Sequence, residues 1–167
     1  MRIRPETLQD INAIEQVTFA AFNGKPYSSK TEYLVVNELR KSAALTLSLV
    51  AEIDEKVVGH IAFSSVMIDG EDKGWYGLGP ISVLPEYHLQ GIGSKLIEAG
   101  LSQIRKLGAQ GCVLEGSPKY YNRFGFKTYP GLFYEGAPAP EYFMALPFYE
   151  NVPQGKVEFH QAFYVSI

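Results

Sequence analysis

Leu84-Pro85-Glu86-Tyr87-His88-Leu89-Gln90-Gly91-Ile92-Gly93-Ser94-Lys95 joins a strand-like run to a helical one. Before it, Trp75–Leu84 reads as a strand. After it, Ile97, Leu101 and Ile104 fall on one helical face, and Gly108 ends that helix. Two glycines at a strand-to-helix turn let the backbone bend sharply and come close to a ligand. The first free N–H groups of the helix point outward at its positive end, which favours phosphate. Ser94 adds a hydroxyl and Lys95 a charge. The stretch lacks the Gly-Lys-Ser/Thr ending of a P-loop. Gly91 and Gly93 match the spacing of the dinucleotide fingerprint, but Leu96 stands where its third glycine would be. On these residues alone, an anion cradle and a turn that needs glycine for steric reasons are equally good readings.

Working outward, Arg2–Pro5 suits an edge strand, and Thr7 with Asp10 caps a helix carrying Ile11, Ile14, Val17, Ala21 and Phe22. Asn23-Gly24-Lys25-Pro26 stops it. Ser29-Lys30-Thr31-Glu32 is a capping box, which predicts a second helix to about Lys41. Leu45–Ile53 and Val57–Ile68 then read as a hairpin around Asp54-Glu55-Lys56. Gly77, Gly79 and Pro80 within Trp75–Leu84 predict a bulge or a broken ladder. Gly111–Glu115 is a short buried strand, and Ser117-Pro118 starts a short helix bearing Tyr120 and Tyr121. Strand-like segments follow around Phe126–Glu135, Tyr142–Phe148 and Lys156–Val165. The order predicts an α/β mixed sheet in one domain spanning residues 1–167.

Several classes are set aside. The 167 residues carry a formal charge of −3 and no long basic run, which argues against a nucleic-acid partner. The longest stretches without Asp, Glu, Lys or Arg are 12 residues, Val57–Ile68 and Gly74–Pro85, too short to cross a membrane. Met1–Glu6 has no apolar h-region, so a cytoplasmic location is the default expectation. The one cysteine, Cys112, lies in an apolar run and reads as a buried strand residue. Three separated histidines without ligand spacing predict no metal site. His60 and His160 read as packed or hydrogen-bonded.

The second informative stretch is Tyr120-Tyr121-Asn122-Arg123-Phe124-Gly125-Phe126. A tyrosine on a short helix after the neighbouring strand can project into the crevice beyond the strand ends; plain packing is the other reading. Together, His88-Leu89-Gln90-Gly91-Ile92-Gly93 and Tyr121-Asn122-Arg123-Phe124-Gly125-Phe126 resemble the GNAT superfamily of acetyl-CoA-dependent N-acetyltransferases. Its hallmark is Arg/Gln-x-x-Gly-x-Gly/Ala after a strand, then Tyr-x-x-x-Gly-Phe one strand later. Gly116-Ser117-Pro118-Lys119-Tyr120-Tyr121 and the ending Gly155–Phe163 are most similar to its small bacterial predicted acetyltransferases of the YhbS type. His88 departs from the pattern, standing where Arg or Gln is usual.

The resemblance implies a GNAT-type central mixed, mostly antiparallel sheet of about seven strands, flanked by helices and splayed between the fourth and fifth strands. It implies direct transfer of acetyl from acetyl-CoA to a primary amine of a small molecule or peptide, without a metal. Pyrophosphate would take the amides from Leu89 to Ser94 (Leu89, Gln90, Gly91, Ile92, Gly93, Ser94), beside His88. Pantetheine would pair with backbone Ile81, Ser82 and Val83, and an N–H near Val83 would serve the thioester oxygen. Tyr121 matches the family's general acid. The strand carries no glutamate, so Glu115 is the nearest candidate base, with His88 and a water chain as alternatives. The acceptor would enter between Asn23–Ser29 and Gly131–Pro153. The second segment lies in the region from Tyr120 to Tyr164 that holds 14 of the 22 aromatic residues. There Glu135, Glu141 and Glu150 suggest a rim for a cationic amine. A non-catalytic acyl-CoA sensor is the alternative, and a homodimer is compatible with either.

Overall fold

A computed structural model describes residues 1–165. β1 (Arg2–Pro5) leads through a 3-10 turn, Leu8–Asp10, into α1 (Ile11–Phe22). Asp10 fixes that entry: its carboxylate accepts the Thr7 amide at 2.7 Å and two Arg4 hydrogen bonds at 2.7 and 3.0 Å. The Arg4 guanidinium holds the Asp10 carboxyl down at about 2. α2 (Glu32–Lys41) starts where Glu32 reaches back to the Ser28 hydroxyl at 2.7 Å and the Ser29 amide at 3.0 Å. β2 (Leu47–Ile53), β3 (Lys56–Ser65), β4 (Met67–Ile68) and β5 (Trp75–Val83) follow, then α3 (Ile92–Lys106) and β6 (Gly111–Glu115). The chain closes with α4 (Pro118–Tyr121), β7 (Leu132–Phe133), β8 (Phe143–Pro147) and β9 (Gly155–Glu158).

Six strands form the main sheet in the order β1-β2-β3-β5-β6-β8, and β4-β9-β7 form a second sheet of three. All main-sheet pairs are antiparallel except β5 with β6. Those two pair only over Trp75–Gly77 and Gly111–Val113, then part. They are the fourth and fifth strands across the sheet, so it splays where the resemblance implied. The Gly79-Pro80 irregularity is a bulge: β3 pairs Ile61 with Ile81 and Phe63 with Leu78, leaving two β5 residues opposite Ala62.

Side-chain alternation assigns the two faces. Gly59 of β3 turns toward α3, since a β-carbon there would lie 3.1 Å from Leu96 and 3.3 Å from Ile92. His60, paired with Ser82 of β5, therefore faces the other way, toward α1. On that face Ser82 donates to the Thr18 hydroxyl of α1 at 3.2 Å. His60 is wholly buried there and bonded to Ser48 at 2.8 Å; Ser48 donates to Glu6, which pairs with Arg40. Burial pushes His60 down to about 4, so it is neutral and hydrogen-bonded rather than exposed to a ligand.

Four expectations are corrected. The seven-strand sheet is instead a six-strand sheet with a separate three-strand one. The predicted strand Val57–Ile68 is broken at Val66, whose amide bonds Trp75, and its last two residues join the second sheet. Phe126–Glu135 forms a strand only at Leu132–Phe133. In the closing segment Lys156–Val165, strand stops at Glu158 and a 3-10 turn occupies Gln161–Tyr164. His160 causes that stop, because its Nδ1 accepts the Ala162 amide at 3.0 Å and caps the turn locally. Tyr164, on that turn, is 60% exposed. Cys112 is buried as read, and burial pushes its thiol up.

Candidate active site

The gap between β5 and β6 is lined by unpaired backbone. Leu84 donates to Val58 at 2.9 Å, so Leu84/Val58 is a hydrogen-bonded pair. In an antiparallel ladder such pairs alternate, which makes Ser82/His60 the next one. Ile81 and Val83 fall between, and their N–H and C=O groups face away from β3 into the gap. Ser82 thus gives its backbone to β3 and its side chain to Thr18, while its two neighbours present the hydrogen-bonding edge.

α3 begins directly beyond this edge. Gly91 precedes its first residue with φ +79°, a conformation that glycine adopts without strain. Lys95 donates to the Gly91 carbonyl at 3.1 Å, and no side chain caps the helix. The amides of Ile92, Gly93 and Ser94 are left pointing outward. Leu89 and Gln90 are exposed in the preceding loop. His88 behaves differently from the other loop residues: its Nε2 bonds the Val83 carbonyl at 2.8 Å. The imidazole closes one backbone acceptor of the gap and ties the loop to β5.

Tyr121 comes from the α3 side. Its ring packs in a cluster with Cys112, Leu114 and Phe126, and meets Phe126 edge-on at 6.1 Å. Gly116 lets it in, since a β-carbon there would meet the Tyr121 ring. Burial, with Tyr120, Tyr27 and Cys112 nearby, pushes the phenol well above its ordinary value. Glu115 alternates with Leu114 and so takes the α1 side, beside its cross-strand partner Phe143. Burial raises its carboxyl, and it acts on Tyr134 rather than on Tyr121. Tyr121 and Glu115 therefore approach the gap from opposite faces.

Three participants were not singled out from the sequence. The Tyr120 hydroxyl sits over the start of α3, 3.0 Å from where a Gly93 β-carbon would be. Tyr27, in the α1–α2 loop, is among the groups acting on Tyr121. Thr18 links α1 to Ser82 and lines a cleft of about 510 Å³ between α1 and α2. Their one signal is the hydroxyl each carries beside an element end. In the second expected acceptor segment Tyr134 packs on Phe143 at 5.9 Å and on Phe159 at 4.9 Å, whereas Phe133, Tyr142 and Tyr149 are exposed. Glu135, Glu141 and Glu150 are exposed. Among the described residues, no group of three His, Cys, Asp or Glu could hold a metal, and no helix is long and apolar enough to cross a membrane.

A parallel strand pair parted at its carboxyl ends, with a glycine-led helix start beyond one strand and a tyrosine helix beyond the other, defines an acyltransferase type of site. Residues 8–126 match the Acetyltransferase (GNAT) family, and the chain belongs to that family. The uncharacterized N-acetyltransferase YhbS of Escherichia coli K12 is 39% identical over 104 residues, 62% of each chain. The match thus spans less than two thirds of that relative's length. YjhQ of the same organism is 37% identical over 134 residues, 78% of this chain and 71% of the relative. Among solved structures, a GNAT family acetyltransferase from Brucella melitensis in complex with acetyl-CoA is 52% identical, covers 97% of both chains and superposes with a TM-score of 0.87. Escherichia coli YhbS in complex with CoA is 32% identical, covers 98% of this chain and 92% of its own, and has a TM-score of 0.90.

Proposed function

We propose that this chain transfers the acetyl group of acetyl-CoA directly to a primary amine. One observation carries the reading: the free amides of Ile92–Ser94, the unpaired backbone of Ile81 and the Val83 N–H open onto one gap, with Tyr121 across it. The groups fit the cosubstrate from end to end. Outward amides at a helix start suit pyrophosphate, and a strand edge with alternating donors and acceptors suits the amides of pantetheine. The Brucella relative, solved in complex with acetyl-CoA, supports acetyl-CoA as the cosubstrate.

The amine attacks the thioester carbonyl, the C–N bond forms, and the thiolate leaves. The Val83 N–H donates a hydrogen bond to the carbonyl oxygen as negative charge grows on it, a role worth about 2.7–4 kcal/mol where such a donor has been removed elsewhere. Tyr121 gives its phenolic proton to the departing sulfur. Because burial raises the phenol, it stays protonated throughout the working range. Glu115, on the opposite face, takes the proton that the amine loses; its raised carboxyl brings it closer to the amine's own basicity than a solvated glutamate would be.

Titration calorimetry with CoA, followed by a CoA-release assay over a panel of amines, tests the reading. Binding with release on at least one amine is expected. Binding without release on any amine would mark an acyl-CoA sensor instead, and absence of binding would remove the cradle.

A further inference from the structure

We infer that the acceptor is amino-acid-like, an amine bearing a carboxylate on an apolar body, held in the cleft between α1 and α2 that includes part of the Asn23–Ser29 entry the resemblance implied. The inference rests on the acetyl-transfer reading and narrows it.

Position comes first. Thr18 lines the cleft, and its hydroxyl accepts from Ser82 at 3.2 Å. Ser82 lies between the two residues whose backbone faces the gap. Tyr27 of the same loop is near enough to Tyr121 to act on its phenol. The cleft therefore reaches the α1 face of the gap, opposite the α3 side from which Tyr121 projects.

The walls set the body of the ligand. Phe19 and Tyr33 meet edge-on at 5.6 Å along the cleft, yet Phe19 is 53% exposed. Phe22, also in the lining, is backed at 6.4 Å by Tyr27, which lies outside it. Uncovered aromatic surface in a concavity of about 510 Å³ favours an apolar side chain of matching size.

The charges set its polar end. Lys25 and Lys30 line the cleft, and neither is in an ion pair among the described residues. The one carboxylate in the lining, Glu32, is taken by the Ser28 hydroxyl and the Ser29 amide. Two unpaired lysines outnumber the one hydrogen-bonded carboxylate, and the net positive lining disfavours a polyamine or a lysine-rich peptide and attracts a carboxylate. Lys30 is also held in place: its backbone has φ +66°, a region that non-glycine residues seldom adopt, and its amide donates to the Ser28 hydroxyl at 2.9 Å. The loop that spends its hydrogen bonds on this geometry sets the lysine at the cleft.

Calorimetric titration of N-acetyl-L-phenylalanine into CoA-saturated protein tests the assignment, since this is the product such an acceptor would give. It should bind. N-acetylphenethylamine, lacking the carboxylate, and N-acetylglycine, lacking the ring, should each bind at least about fivefold more weakly. The Lys25→Gln/Lys30→Gln double variant should bind N-acetyl-L-phenylalanine about tenfold more weakly, since each exposed ion pair is worth up to about fivefold. Equal binding of N-acetylphenethylamine, unchanged affinity in the double variant, or no binding of any of the three compounds overturns the inference. Transfer is read separately by CoA release. Acetylation of spermidine without binding of any of the three refutes the acceptor class and leaves transfer standing. Lysine-dependent binding with no CoA release on any amine refutes transfer and leaves the cleft's ligand standing.

Discussion

Gly93→Ala is expected to change the sign of its effect with the residue at position 120. Gly93 is the second residue of α3, and a β-carbon added there would lie 3.0 Å from the Tyr120 hydroxyl oxygen and 4.0 Å from the Val83 side chain. The hydroxyl cannot easily retreat. The Arg123 guanidinium lies 4.1 Å from the centre of the Tyr120 ring, and Tyr121 meets it edge-on at 4.9 Å. Two terms then compete. Alanine in place of glycine within a helix gains about 0.5–1 kcal/mol. Overpacking against a held neighbour costs about 1–3 kcal/mol. In the otherwise native protein the clash wins, and Gly93→Ala should destabilise by about 0.5–2 kcal/mol. In the Tyr120→Phe background the nearest atom is gone and only the ordinary Val83 contact remains, so the same change should stabilise by about 0.5–1 kcal/mol. Urea unfolding of the four proteins measures a coupling of about 1–3 kcal/mol, the range expected for side chains in contact. If Gly93→Ala stabilises the native background, or the two changes simply add, then the Tyr120 hydroxyl does not sit over the start of α3. The description of that end of the site would have to be withdrawn.

Three further outcomes follow from the same geometry. Tyr121→Phe should lower kcat by about 10²–10⁴ while leaving calorimetric CoA affinity unchanged, since the ring packing on Tyr120 and Phe126 survives; unchanged kcat would remove it as the acid. Glu115→Gln should abolish the acidic limb of kcat/KM, which in the native enzyme lies above the ordinary glutamate range because burial raises the carboxyl; a limb that persists points to another base. Asp10 is lowered from 3.8 to about 2 by Arg4. Its stabilisation is therefore complete above about pH 4 and lost as pH falls through about 2. Asp10→Asn should cost about 1–2 kcal/mol at neutral pH and little near pH 2, read by chemical unfolding at the two pH values.

Most of the main sheet was legible because its signals are local. The Gly79-Pro80 interruption announced a bulge, and the bulge is there opposite Ala62. Gly91 and Gly108 mark both ends of α3, each with positive φ. Legibility fails at Val66 and again in the last quarter, where the apolar pattern is strand-like but the backbone partners are not. Val66 bonds Trp75, Lys127 bonds Ala145, and His160 caps its own turn. Each of these captures a backbone group that a continuous strand would need, and none changes the hydrophobic periodicity.

The site divides along the same line. The glycine-led, uncapped start of α3 is a property of consecutive residues, so the glycine stretch displayed it. Which of Ile81, Ser82 and Val83 turn to the gap is instead a matter of hydrogen-bond phase. That phase is set by the bond from Leu84 to Val58 across the ladder, and nothing within β5 itself carries the information. Charge behaves likewise. Counting acidic residues along Glu135–Glu150 suggested a site for a cation, but those carboxylates are exposed. In the α1–α2 cleft the one carboxylate, Glu32, is oriented by Ser28 and Ser29, and among the described residues the two lysines form no ion pair. What decides the electrostatics of a site is the balance of the charges that the fold brings to its lining, not a count along the chain. For this cleft the balance is two cations to one anion, the reverse of the acidic rim expected from the sequence.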